Sequence, residues 1–397
     1  TGSTKSELTY MYILFFTDIS PFPQNGGERI RSYYLIKALS QLGYSVIAVV
    51  RNVEKVDLQQ YHLPNVTFYT YETKPFDLLT RITGKQYFQR SGELLGMFKE
   101  ICDEYPISAA ILDYGFVGHY ISFFKSRHIP VILGTHNAQP MITWQLPSNN
   151  LFDKLRKLQL FSMEKLHERL YFNKAAAVVV VSDDDHVYHS RFLPKQKVFT
   201  VPNFLDQKDY HLFGKKQQRV LVMTANFGVY MNFAGLKWFI ENVWDKELAG
   251  KYDLWLVGRG SKEALKRITG KEEYENIVAF GKVDDVKWYI SVASAVIIPL
   301  VHGSGTRLKC LEAMALRTPI ISTAKGVEGV KSRHFIVADE PAAFKQSLLN
   351  FDSETDKGER LQEDFLQEYS LEVNQLRLQQ IVNYAIRDKK SAYVQPA

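Results

Sequence analysis

The chain has 397 residues, a length that predicts two domains at roughly 100–200 residues each. Hydrophobic residues make up 46% of it and charged residues 23%, with only two cysteines, Cys102 and Cys310. That balance excludes disordered, collagen-like and disulfide-stapled classes and suits a reducing compartment, the cytoplasm. The net charge of +6 accommodates an anionic substrate or surface but is far from a nucleic-acid-binding composition. The longest apolar run, Ala175–Val181, is far short of the 18 or more residues of a membrane-spanning helix and reads as a buried strand.

Thr1–Tyr10 is polar, lacks the apolar centre of a secretion signal, and is expected to be a tail. From there short β-rich runs alternate with helical stretches, which predicts parallel sheets covered by helices. Strands are expected at Tyr12–Asp18, Val46–Val50, Val66–Tyr71, Ala109–Asp113, Val131–Thr135, Ala176–Val181 and Phe199–Pro202. Helices are expected over Glu28–Leu42, Gly92–Tyr105, Phe116–Ser126 and Phe152–Phe172. The alternation lapses in a polar, lysine-bearing stretch over Asn203–Gln218 and then restarts. The second half offers strands at Arg219–Thr224, Leu254–Val257, Val278–Phe280, Ala295–Pro299, Pro319–Thr323 and Phe335–Val337. Its helices are expected at Phe233–Asp245, Lys262–Ile268, Val286–Ser291, Thr306–Ala315, Pro341–Asn350 and Glu354–Glu368, with a last one over Leu371–Ile386. The fold class is α/β, two Rossmann-like domains whose parallel sheets face across a cleft: a tail over 1–10, a first domain over 11–205, a second over 206–370, and a terminal helix within 371–397.

Ligands of such sheets bind at the carboxyl ends of strands, so the loops there are the places to look for chemistry. The loop from Asp18 to Gly26 and Gly27 precedes a helix, where paired glycines let amides approach an anion; a plain turn explains them equally well. It lacks the dinucleotide glycine spacing, which disfavours a dehydrogenase. Gly134-Thr135-His136-Asn137 puts a histidine at a strand end, where it can hydrogen-bond a reacting group, although a buried structural histidine fits too. The most informative loop runs from His302 through Gly303, Ser304, Gly305 and Thr306 into a helix carrying Arg307, Lys309 and Glu312. Free amides at the helix start plus two cations suit a diphosphate, and a carboxylate one turn on suits a sugar diol, a combination that describes a nucleotide sugar. A solvated helix with an internal Glu–Lys pair accounts for the charges but not for the glycines. Ser182 followed by Asp183-Asp184-Asp185 reads as a helix cap rather than a metal motif.

In the order Gly26-Gly27, His136-Asn137, Val181-Ser182, Val201-Pro202-Asn203, Leu256-Val257-Gly258, Phe280-Gly281 and the Gly305–Gly329 block, the chain resembles the group 1 family of retaining glycosyltransferases, which have the GT-B fold. The resemblance implies a second domain that holds a nucleoside-diphosphate sugar and a first that contacts the acceptor. Glu312 would then hold the donor ribose, with amides around Gly305 and Thr306 on the phosphates or the transferred sugar. His136 would meet that sugar, Gly26 and Gly27 would lie near the diphosphate and acceptor, and Asn137 would stand on the acceptor side. The terminal helix of this fold often crosses back to the first domain.

Two departures stand out. Where many relatives have a second glutamate, this chain has Ser304, and where they carry an Arg and a Lys after the first strand of the second domain it has Ala225–Asn232, including Asn226, with no cation. Arg307 and Lys309 are therefore expected to take over the diphosphate, with Gly258 nearby and Arg259 in reserve. No metal or other cofactor is expected. The implied reaction is sugar transfer to an acceptor hydroxyl of a glycan or lipid-linked molecule, in surface glycan, polysaccharide or glycolipid synthesis. Its rivals are a nucleotide-sugar epimerase of the same architecture and a non-catalytic nucleotide-sugar-binding protein. Basic residues occur at Lys74, Arg81, Lys85 and Arg90, and again at Lys154, Arg156, Lys157, Lys165 and Arg169; the second group, on a long helix among Leu151, Phe152, Leu155, Leu158, Leu160 and Phe161, fits either a peripheral contact with an anionic membrane or ordinary amphipathic packing.

Overall fold

The computed structural model describes residues 11–24, 26–52, 56–58, 61–72, 80, 83–145, 148, 150–302, 307–352 and 356–392, with the side chains of 86 and 388–392 left aside. Lys74 and Arg81 lie outside these residues. The chain divides into two compact units: the residues up to Pro202 together with those from Asn374 onward, and Asn203–Val373.

The first unit is built on a parallel sheet of strands β1 (Tyr12–Thr17), β2 (Ser45–Arg51), β3 (Val66–Tyr71), β4 (Ile107–Asp113), β5 (Val131–Gly134), β6 (Ala177–Val180) and β7 (Val198–Thr200). Their order is β3-β2-β1-β4-β5-β6-β7, so the winding reverses between β1 and β4. The strands are nearly all apolar because helices cover both faces, and Leu14, Phe16, Val49, Leu112 and Leu133 are buried in one continuous core. The flanking helices are α1 (Gly27–Gln41), α2 (Gly92–Glu104), α3 (Ile121–Ser126), α4 (Gln139–Gln145), α5 (Leu151–Tyr171) and α6 (Asp183–His189). Local chemistry starts several of them: Ser91 accepts from the Leu94 amide, Asn150 from that of Asp153, and Ser182 from that of Asp185. The Asp183–Asp185 run is thus the first turn of α6.

The second unit repeats the plan with β8 (Gln217–Thr224), β9 (Asp253–Val257), β10 (Ile277–Gly281), β11 (Ala293–Ile298), β12 (Ile320–Ser322) and β13 (Ile336–Val337), in the order β10-β9-β8-β11-β12-β13 and again parallel. Its helices are α7 (Tyr230–Asn242), α8 (Lys246–Lys251), α9 (Ser261–Thr269), α10 (Lys287–Val292), α11 (Leu308–Ala315), α12 (Pro341–Leu349) and α13 (Lys357–Glu368). Gly235 lets α7 cross tightly over the end of β11: a Cβ there would stand 2.7 Å from the Pro299 carbonyl oxygen.

The division at Pro202/Asn203 falls three residues before the boundary expected from sequence. Leu205 donates its amide to the Tyr369 carbonyl at 3.0 Å and accepts from Leu371 at 2.8 Å, which ties the start of the polar stretch into the second unit. The last helix, α14 (Leu371–Ala392), belongs from Asn374 to the first unit, where Leu378, Ile381, Val382 and Ala385 are buried and the Tyr384 ring lies 5.1 Å from that of Phe199.

Candidate active site

In the first unit the pairing of β4 with β5 sets Asp113 beside Gly134, and a Cβ at Gly134 would come within 2.9 Å of the Asp113 Oδ1, so glycine makes room for the carboxylate. Asp113 is fully buried. Its Oδ1 takes a hydrogen bond from His136 Nε2 at 3.1 Å, and its Oδ2 takes one from the Ser32 hydroxyl of α1 at 2.6 Å. Burial raises the Asp113 pKa, yet the His136 imidazole, the Arg31 guanidinium and Ser32 outweigh it and hold the carboxyl below its ordinary range. Arg31, also on α1, donates to the Val201 carbonyl at 3.2 Å. The bond to Asp113 fixes the orientation of the ring, and the buried Nδ1 has no hydrogen-bond partner among the described residues.

Tyr114 follows Asp113 at φ 123°, a conformation costly for a bulky side chain, and its ring stands edge-on to His136 at 5.6 Å. Tyr114, Thr135, His136, Asn137 and Gln139 line a small cavity. Gly26 caps α1 in an extended conformation with open space where a Cβ would sit, so the fold itself makes no demand for glycine there.

In the second unit the loops after β8 and β9 are laced together: the Ala225 amide donates to Val257 at 3.0 Å and that of Phe227 to Arg259 at 2.8 Å. Gly258 is at φ 133° with the Ala225 carbonyl against its Cα, a position open only to glycine. Asn226 turns its side chain onto the Gly228 amide at 3.1 Å, and its carbonyl accepts from Asn232 at 2.9 Å. Asn232 in turn accepts from Lys309 Nζ at 3.2 Å, which joins this loop to α11. Burial first, then the neighbouring Arg307, push the Lys309 ammonium down to about 8.

Arg307 caps the start of α11 and is buried; its Nε donates to the Lys325 carbonyl at 3.3 Å and its Nη2 pairs with Glu328 at 3.4 Å, while Glu328 also holds Lys325 at 2.8 Å. Glu312, half-buried one turn beyond Lys309, faces Lys287 and Asp285 and is hydrogen-bonded by the Tyr210 hydroxyl. Burial raises it to about 7 against the pull of Lys287 and Lys309. The structure therefore gathers Asn226, Gly258, Arg259, Arg307, Lys309 and Glu312 at the carboxyl ends of β8, β9 and β11, and His136 with Asn137 at that of β5. Ser304, Gly305 and Thr306 lie outside the described residues. Sequence reasoning did not find Ser32, Asp113, Tyr114, Asn232, Tyr210 or Lys287. Only Asp113 carried a signal, as a carboxylate ending the strand next to the reversal of winding.

Residues 218–351 match the family described as glycosyl transferases group 1. That stretch lies within the second unit. Across nearly the whole chain the fold is GT-B. The chain superposes on sucrose-phosphate synthase of Thermosynechococcus elongatus with a TM-score of 0.72 and 16% identity, over 94% of this chain and 98% of that one. A glycosyltransferase of Rickettsia africae gives 0.69 at 13% identity, with 95% and 99% covered. Anabaena HepE, solved in complex with UDP and glucose, gives 0.64 at 12%, with 94% and 100% covered. At these identities the likeness is one of fold. In sequence, the chain is 22% identical over 368 residues, 83% of its length and 88% of the other's, to an uncharacterized 44.6 kDa protein in the cps region of Klebsiella pneumoniae.

Proposed function

We propose that the protein is a retaining glycosyltransferase that moves a sugar from a nucleoside-diphosphate sugar to an acceptor hydroxyl, in the cytoplasm, during synthesis of a surface glycan, polysaccharide or glycolipid. The observation that carries this reading is Lys309. Its ammonium is withdrawn from water, hydrogen-bonded to a neutral amide and pressed by a second cation, so an anion arriving at the start of α11 relieves an electrostatic deficit already built into the site. A departing diphosphate is such an anion. Arg307, already paired with Glu328, adds positive potential, and Glu312 takes the ribose hydroxyls.

Glycosyl transfer passes through an oxocarbenium-like state while negative charge gathers on the leaving group. Lys309, Arg307 and the amides beginning α11 hold that charge without a metal, and Asn226, Gly258 and Arg259 shape the nucleotide's surroundings. Gly26 and Gly27 stand by the diphosphate and acceptor, with Ser304, Gly305 and Thr306 on the donor. His136, oriented by Asp113, meets the transferred sugar, and Asn137 faces the acceptor, a glycan or lipid-linked hydroxyl. The relative in a cps region and the neighbour solved with UDP and glucose support a uridine nucleotide sugar and a polysaccharide product. Calorimetry with UDP tests the reading on the intact protein and on Lys309→Met. Binding by the parent and weak binding by the variant is the expected result; equal affinities would remove the assignment.

A further inference from the structure

Helix α5 is amphipathic in the reverse of the usual sense. Its buried residues are Glu164, His167 and Glu168, whereas Leu151, Phe152, Leu155 and Leu158 are 72%, 71%, 58% and 52% exposed. The spacing of Leu151, Leu155 and Leu158 places them on one stripe, which Leu166 continues at 45% exposure. On the adjoining α4, Trp144 is half exposed as well. Packing against the sheet does not explain these side chains, because they stand exposed while Glu164, His167 and Glu168 are the helix's buried residues.

The charges follow the same division. Lys154, Arg156 and Arg169 are exposed, while the glutamates of the helix, Glu164 and Glu168, are turned into the protein. Lys165 lies over the Tyr188 ring at 4.4 Å and Lys157 over that of Trp144 at 5.5 Å. An apolar stripe bordered by cations is complementary to a surface with anionic headgroups above hydrocarbon. A second copy of the chain is a poor occupant, since a two-fold interface through this face would bring like charges together.

We propose that the first turns of α5, with Trp144 of α4, rest on an anionic lipid bilayer, the leucines and aromatic rings entering the boundary between headgroups and acyl chains and the cations lying on lipid phosphates. None of these side chains is among the residues assigned to sugar transfer, and the test reads lipid binding alone. The full chain is sedimented with vesicles of phosphatidylcholine and with vesicles in which about one-third of the lipid is phosphatidylglycerol. It should pellet with the anionic vesicles at low salt and be released as salt rises. Leu151→Ser combined with Phe152→Ser should lower the partition coefficient at least about tenfold, and Lys154→Glu and Arg156→Glu about fivefold each. All four positions are exposed, so unchanged thermal unfolding will show the variants folded. Failure to pellet with anionic vesicles at low salt overturns the proposal, as does equal binding to neutral vesicles or parental binding by the double serine variant. Lipid-free dimers that the same serine variant dissolves would assign the face to a second copy instead.

Discussion

Lys309 and Glu312 are one turn apart on α11, and both titrate near neutrality for the same reason, burial, acting on opposite charges. For Lys309 the fall from 10.5 to about 8 means that the unfolded chain keeps a proton the folded protein gives up across that window. Stability on this account rises with pH there, and the charged ammonium is a cost below it. On the proposed function binding runs the other way, since a diphosphate there needs the cation. We expect UDP affinity to weaken above pH 8, and Lys309→Met to lose both this alkaline limb and about 2 kcal/mol of binding while unfolding at no lower temperature. Calorimetry across pH, paired with thermal melts, checks it. Asp113→Asn should lower turnover about tenfold or more with little change in KM for the donor, because it unfixes His136 and leaves the nucleotide site alone. It should also cost about 3 kcal/mol of stability by removing a negative neighbour of buried Arg31, measurable by urea unfolding. His136 and the α11 residues were legible in the sequence as polar groups after apolar strands. Asp113 was not singled out, because its role depends on β4 lying in register with β5, and the strained Tyr114 backbone leaves no trace in composition.

Among elements, α5 shows how a buried carboxyl records its surroundings. Glu164 accepts from Thr143 at 3.0 Å and from Tyr87 at 3.4 Å, yet burial lifts it to about 7. Its raised value means that the folded protein binds the proton more tightly than the unfolded chain, so this group's contribution to stability falls as pH climbs from about 4.5 to about 7. Glu164→Gln keeps the shape and removes the charge. It should flatten that part of the stability–pH curve and add about 2 kcal/mol at pH 8, read by denaturant unfolding at several pH values. The strands were plain in the sequence because sheets covered on both faces require near-continuous apolar runs, as in Ala293–Ile298. Two of the short helices were not: α4 and α8 have seven and six residues, too few for a period to declare itself, although Asp245 caps the latter in the ordinary way. For α5 the helix was legible but its orientation was not, since leucines at helical spacing look alike whether they face a sheet or solvent.

At the scale of the molecule, the repeated alternation of strand and helix announced two halves, and the junction moved only because Leu205 is stitched to Tyr369 and Leu371. The first unit takes its last helix from the far end of the chain, past the whole of the second. Truncation after Val373 should therefore expose the surface that Leu378, Ile381, Val382 and Ala385 cover. We expect calorimetry of that shortened protein to show the first unit's transition lowered by about 10 °C or more, with UDP still stabilising the second. The same connectivity bears on biogenesis. A ribosome adding roughly 5–20 residues each second releases the first seven strands roughly 10–40 s before the segment that seals them, so the nascent amino-terminal half spends that interval with an unsealed apolar flank, a natural target for holdase chaperones.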